Sequence, residues 1–203
     1  MHWIRRDVAA QRERATEAIA FSEAQGFPMW LGVGRAWHAA ARVMAGDFGA
    51  LPEILAGMAL APETGNQQAA PAILAILAEA QRAAGQLAES QGTVATALAV
   101  AAQTVQPFFD AELHRLDGEL LLATGGAADE AAARYHRALA IAREQGSCSL
   151  ELRAATSLAR LWRDQGKRAE ARDLLAPVYG WFTEGFDTAD LQQAKTLLEE
   201  LGR

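Results

Sequence analysis

Apolar residues recur in steps of three and four along almost the whole chain, and glycines interrupt them at regular intervals. Between Gly146 and Gly166 the apolar set is Leu150, Ala154, Leu158, Leu161 and Trp162; between Gly166 and Gly185 it is Ala171, Leu174, Leu175, Val178 and Phe182. Leu113, Leu116, Leu120 and Leu121 form another stripe, and Tyr135, Leu139 and Ala142 continue it on the next segment. Such steps put side chains on one face of a helix. Gly46, Gly85, Gly125 and Gly166 lie 39, 40 and 41 residues apart. A second set of breakers, Gly26, Gly65, Pro107, Gly146 and Gly185, falls between them. Each interval holds one helix and a turn, which predicts helices over 3–25, 29–45, 48–60, 67–84, 87–105, 109–124, 127–145, 148–165, 168–183 and 188–202.

The fold class expected is therefore all-α, a solenoid of antiparallel helix pairs with a period near 40 residues. Small residues, Ala39, Ala78, Gly118 and Ala159, sit seven positions before the turn glycines, where two helices can approach closely. The organisation reads as one solenoid over 1–203: a half repeat 1–26, repeats 27–65, 66–107, 108–146 and 147–185, and a capping helix 187–203. Asp187 or Thr188 would open that last helix. Beginning on half a repeat suggests a fragment with further repeats upstream. The pattern is weakest from Ala59 to Gln68, where Pro62, Gly65 and Asn66 predict a loop.

Composition agrees with helices. The 203 residues include 47 alanines and only 6 prolines, and 51% are hydrophobic. Net charge is −6, and residues 1–104 carry 7 basic and 9 acidic residues against 12 and 16 in residues 105–203. Neither half is basic, which disfavours nucleic-acid binding. Cys148 is the single cysteine, so no internal disulfide and no thiolate metal cluster can form. After Arg5 and Arg6 the chain turns polar instead of building a signal-peptide core. The apolar run from Ala69 to Ala80 is too short to span a bilayer and carries Glu79. A cytoplasmic protein without membrane contact is the expectation.

Particular residues carry a resemblance. Gly118, Gly125, Ala131, Tyr135 and Ala138 form one set, with an extra residue at Gly126; Ala159, Trp162, Gly166, Ala171, Leu175 and Val178 form a second. Both resemble the tetratricopeptide repeat, in which a small residue and a turn glycine precede Ala, an aromatic and Ala on the second helix. The repeats here are longer than the standard 34, and Arg42 and Gln81 stand in the N-terminal half where an aromatic or aliphatic residue is usual. The run from Ser149 to Trp162, with Gln165-Gly166, Ala169-Glu170-Ala171 and the stretch from Leu174 to Thr188, resembles the C-terminal end of large bacterial signalling proteins. In these a class III adenylate or guanylate cyclase domain precedes a signal-transduction ATPase module and a repeat tail. Glu112-Leu113-His114-Arg115-Leu116, Gly118-Glu119-Leu120-Leu121-Leu122 and Glu23-Ala24-Gln25-Gly26-Phe27-Pro28 resemble earlier parts of that tail. The resemblance implies a sensory or scaffolding tail, and it carries over none of the catalytic residues of the upstream domains.

The chain's own chemistry is sparse. Gly125-Gly126-Ala127-Ala128 lacks the lysine and hydroxyl of a phosphate-binding loop, and Gly32-Val33-Gly34 lacks a third glycine and a preceding strand. His2, His38, His114 and His136 show no i, i+4 pairing. No cofactor, no metal and no catalytic residue are expected; Cys148 reads as a small residue at a helix start. In a tetratricopeptide solenoid the first helix of each pair lines the concave surface. The register turns Glu79 and Arg82, Arg115 and Glu119, and Arg153, Arg160 and Arg163 toward it as a partner-binding groove, whose arginine forks suit an acidic peptide or anion. The other reading is that Glu79, Glu112 and Glu119 pair with these arginines and bind nothing. Trp30, Trp37, Trp162, Trp181, Phe182 and Phe186 read as packing residues. Trp3 and Phe108-Phe109 lie near segment ends, and an exposed first helix would offer a dimerisation surface. The expected function is a non-catalytic protein- or peptide-binding tail whose partner is another protein or its own upstream domains; the alternative is a metabolite sensor with a pocket between repeats.

Overall fold

The computed structural model describes residues 7–59, 70–103 and 107–203. The expected loop around Pro62, Gly65 and Asn66, the environment of Trp3 and the first turn of the helix expected from residue 3 lie outside these residues. Ten α-helices follow one another among the described residues: α1 Val8–Gln25, α2 Pro28–Met44, α3 Leu51–Ala59, α4 Ala70–Ala83, α5 Leu87–Gln103, α6 Asp110–Ala123, α7 Ala128–Glu144, α8 Cys148–Asp164, α9 Arg168–Tyr179 and α10 Ala189–Leu201. Short 3-10 turns, Phe48–Ala50 and Pro107–Phe109, lead into α3 and α6. The described chain falls into two compact units, residues 7–109 and 110–203.

The turn glycines do what the spacing requires. Gly26, Gly46, Gly85, Gly125, Gly146, Gly166 and Gly185 all have positive φ, between 63° and 98°. At Gly146 the glycine N–H bonds the Arg143 carbonyl at 3.1 Å and the Ser147 N–H bonds the Ala142 carbonyl at 2.9 Å. That six-to-one and five-to-two pair is a Schellman closure, which satisfies carbonyls that a helix end leaves open. Gly166 and Lys167 repeat it onto Arg163 and Trp162, at 2.9 and 2.8 Å.

In the unit 110–203, α6 packs on α7 and on α8, α7 on α8, α8 on α9, and α10 on both α8 and α9. Its core is built around Tyr135, Leu152, Leu158, Leu175, Leu191 and Leu197. Gly118 permits the tight α6–α7 approach: a Cβ there would lie 2.7 Å from Cε1 of Tyr135. Ala159, the equivalent small residue on α8, is fully buried. In the unit 7–109, α2 packs between α1 and α3 and also meets α4, which pairs with α5. Ile54, Ile73, Ile76 and Val94 are buried there, as are the small residues Ala39 and Ala78.

The end of α9 differs from the spacing, while the start of α10 at Thr188 agrees with it. α9 stops at Tyr179 instead of residue 183, since Pro177 brings a ring and no N–H into the last turn. Thr188 stands at the N-cap of α10 without capping it: its hydroxyl donates to the Gly185 carbonyl at 2.7 Å.

Candidate functional site

Steps of three and four on α6 bring Glu112, Arg115 and Glu119 onto one stripe, and α8 supplies Arg153 and Ser157 opposite them. Arg115 donates twice to Glu112, from Nη2 to Oε1 at 2.6 Å and from Nε to Oε2 at 2.9 Å. The same guanidinium donates from Nη1 to Glu119, which also accepts from the Ser157 hydroxyl at 3.0 Å. Arg153 approaches Glu112 at 3.3 Å on one side and Asp190 of α10 at 3.6 Å on the other. One charged chain thus ties α6, α8 and α10 together, with three carboxylates facing two guanidinium groups.

Burial sets what this chain can do. The side chains of Glu112, Arg115 and Arg153 are exposed by 0–2%, while Glu119 and Asp190 keep 21% and 11%. The register turns Glu79, Arg115 and Arg153 toward an open groove, yet all three residues are at most 4% exposed. Packing against neighbouring helices covers the faces that the helical period exposes. Buried ions survive only when paired, and removing one partner from such a set typically costs about 3–5 kcal/mol. Glu79 and Arg82 lie on α4, in the other unit; Glu79 is buried and Arg82 half-buried.

Arg160 and Arg163, about two and three turns beyond Arg153 along α8, are differently placed. Both are half-buried and line a cavity of about 370 Å³ with Gln192, Gln193, Thr196 and Glu200 of α10. Arg160 donates from Nη2 to the neutral amide oxygen of Gln193 at 3.0 Å. Arg163 donates to Asp164 at 2.9 Å and to Glu200 at 2.6 Å. These hydrogen bonds, Asp164's foremost, push the Arg163 pKa further up. The α10 residues Asp190, Gln193 and Glu200 are absent from the sequence-derived set. Their spacing of three and seven was the available signal, masked by the stronger leucine stripe on the same helix.

Elsewhere on α6, Asp110 Oδ1 and His114 Nδ1 are buried and have no hydrogen-bond partner among the described residues. Burial is the largest cause in both cases, raising the Asp110 pKa and lowering that of His114, so each is pushed toward its neutral form. No group of three or more His, Cys, Asp or Glu with metal-holding geometry occurs among the described residues. No helix there is long and apolar enough to cross a membrane.

No protein-family model and no curated protein matches the sequence. Solved structures do. A signal-transduction ATPase with numerous domains and a tetratricopeptide repeat sensor, from Pyrococcus horikoshii, is 14% identical with a TM-score of 0.71; the match covers 94% of this chain and 30% of that one. PlcR of Bacillus thuringiensis, solved with the peptide PapR7 and DNA, is 13% identical over 98% of this chain and 72% of its own, at a TM-score of 0.67. Kinesin-light-chain TPR-like repeats from Podosopora anserina are 20% identical over 85% of both chains, at 0.59. This chain spans under a third of the ATPase's length. At such identities the likeness is one of architecture, and the fold is an all-α, tetratricopeptide-like α-solenoid.

Proposed function

We propose that the chain is a non-catalytic protein- or peptide-binding repeat domain, the regulatory or scaffolding tail of a bacterial cyclase- or ATPase-type signalling protein. The α8–α10 seam would seat a carboxylate-bearing segment of the partner. The observation that carries this reading is Arg160: at the wall of a 370 Å³ cavity, its guanidinium hydrogen-bonds a neutral amide, while the neighbouring Arg163 is already bonded to Asp164 and Glu200. A carboxylate replacing that amide would turn an exposed ion–amide bond into an ion pair, worth about 0.2–1 kcal/mol. Arg115, Glu119 and Arg153 act beneath the seat by fixing α8 against α6 and α10. Glu79 and Arg82, on α4 of the other unit, are not assigned to this seat. PlcR, solved with a peptide and DNA, and the ATPase, with its repeat sensor, share this architecture and support the assignment by analogy.

A fluorescein-labelled octapeptide of alternating Leu and Glu tests the seat by anisotropy, with the Leu-Lys octapeptide as its counterpart. The Leu-Glu peptide binds and the Leu-Lys peptide does not, and the Arg160→Ala/Arg163→Ala variant weakens binding at least about tenfold. Equal binding to variant and parent sinks the assignment.

The alternative, a metabolite sensor, draws on a cavity of about 460 Å³ with an apolar floor of Leu152, Phe182 and Leu191 and a polar wall of Ser149, Thr188 and Asp190. That reading gains if Leu152→Ala and Phe182→Ala abolish metabolite-dependent thermal stabilisation while peptide binding is absent from the parent.

A further inference from the structure

The seam between α8 and α10 differs in charge from one end to the other. The two helices run side by side in the same direction: Arg153 meets Asp190 at 3.6 Å, Arg160 meets Gln193 at 3.0 Å and Arg163 meets Glu200 at 2.6 Å. Toward their C-terminal ends lies the cavity of about 370 Å³ with Arg160 and Arg163 in its wall. Asp164 and Glu200 share Arg163, and Arg160 bonds a neutral amide. Toward the N-terminal ends lies the cavity of about 460 Å³, whose wall carries the carboxylates of Glu184, Asp187 and Asp190. No basic side chain lines it among the described residues.

Both ends open on one face of α8. Ser149 and Leu152, in the wall of the acidic cavity, stand eleven positions before Arg160 and Arg163. Eleven residues come within about 20° of three full turns and advance about 16 Å. On α10, Ala189 lines the basic cavity and its chain neighbours Thr188 and Asp190 line the acidic one. The acidic cavity also has the right interior for a long cationic side chain. Leu152, Leu191 and the half-buried Phe182 ring give methylenes an apolar floor, and a ring face attracts a cation. Glu184 and Asp187 are exposed at its mouth, where they can close on an ammonium or guanidinium group.

We propose that the α8–α10 seam takes one extended peptide segment of mixed charge. Its carboxylate side chain sits at Arg160, and a lysine or arginine about five residues away enters the cavity of Glu184, Asp187 and Asp190. The spacing is the 16 Å between the two ends divided by the rise of an extended chain, about 3.3 Å per residue. This rests on the peptide-binding reading above and adds to it a second charge and its distance from the first. Charge complementarity selects the occupant. A segment acidic throughout sets carboxylates against Glu184 and Asp187, and one basic throughout sets cations against Arg160 and Arg163.

Two fluorescein-labelled octapeptides of one Leu/Ser composition, each with a single Glu and a single Lys, test this by anisotropy on the full chain. Glu and Lys stand five positions apart in the first and adjacent in the second. The spaced peptide binds at least about fivefold more tightly, the gain that one or two exposed ion pairs supply. Glu184→Gln/Asp187→Asn, a change of two exposed side chains, removes this advantage and leaves the Leu-Glu octapeptide bound no more weakly. Arg160→Ala/Arg163→Ala weakens both isomers. Equal binding of the two isomers, with the Leu-Glu octapeptide still bound, overturns the mixed-charge segment and spares the peptide-binding reading. An advantage that survives Glu184→Gln/Asp187→Asn also overturns it, since the cation then sits elsewhere. If neither isomer nor the Leu-Glu octapeptide binds, the peptide-binding reading fails and takes this inference with it.

Discussion

Arg115 and Arg160 are the same residue type on equivalent first-of-pair helices, yet their losses should differ severalfold. Arg115 gives two hydrogen bonds to the buried Glu112 and one to Glu119. Replacing it by alanine takes the bidentate partner from Glu112, which keeps Arg153 at 3.3 Å. The expected cost is about 3–5 kcal/mol, the usual result of stripping one partner from a buried ionic set. Arg160 is half-buried and bonds one neutral amide, so Arg160→Ala should cost under about 0.5–1 kcal/mol. Urea denaturation of the two variants checks both figures. Comparable losses would mean that the α6–α8 charges are solvated and add little to the fold.

Among elements, the α6–α7 contact sets two effects against each other at Gly118. Alanine is the better helix former, by about 0.8–1.0 kcal/mol in a helix interior. A Cβ at 2.7 Å from the Tyr135 ring must push aside a buried side chain, and such overpacking costs about 1–3 kcal/mol. The clash should win, so Gly118→Ala lowers stability. Tyr135→Leu, itself destabilising, should make the added methyl harmless, and a double-mutant cycle reads that coupling. A stabilised Gly118→Ala would disprove the close approach. This contact was legible in the sequence because glycine spacing and apolar period report backbone geometry directly; helix ends were legible to within a few residues for the same reason. The fate of Arg115 and Arg153 was not. A period of 3.6 names the face a side chain is on, and whether another helix then covers that face depends on packing between helices about 40 residues apart. Hence the sequence points to arginines on one stripe, and only the fold divides them into a buried pair and an accessible pair.

At the scale of the molecule, charge decides how a carboxylate-bearing partner can be held. The chain is acidic overall, with net charge −6, and both halves carry more acidic than basic residues. At long range it repels an acidic peptide; the attraction lies in Arg160 and in Arg163, the latter shared with Asp164 and Glu200, at one cavity. Salt screens the diffuse repulsion and the local attraction together, with a Debye length falling from about 10 Å at 0.1 M to about 3 Å at 1 M. The two losses oppose each other in the affinity. Binding of the Leu-Glu octapeptide should therefore change by less than about threefold between 50 and 300 mM NaCl. A protein that recruits its ligand through a broad basic field behaves otherwise and loses affinity steeply over such a range. Anisotropy titrations at both salt concentrations separate the cases. A steep loss would show that the peptide is held by a wider basic surface than Arg160 and Arg163 supply, and would move the binding site away from the α8–α10 seam.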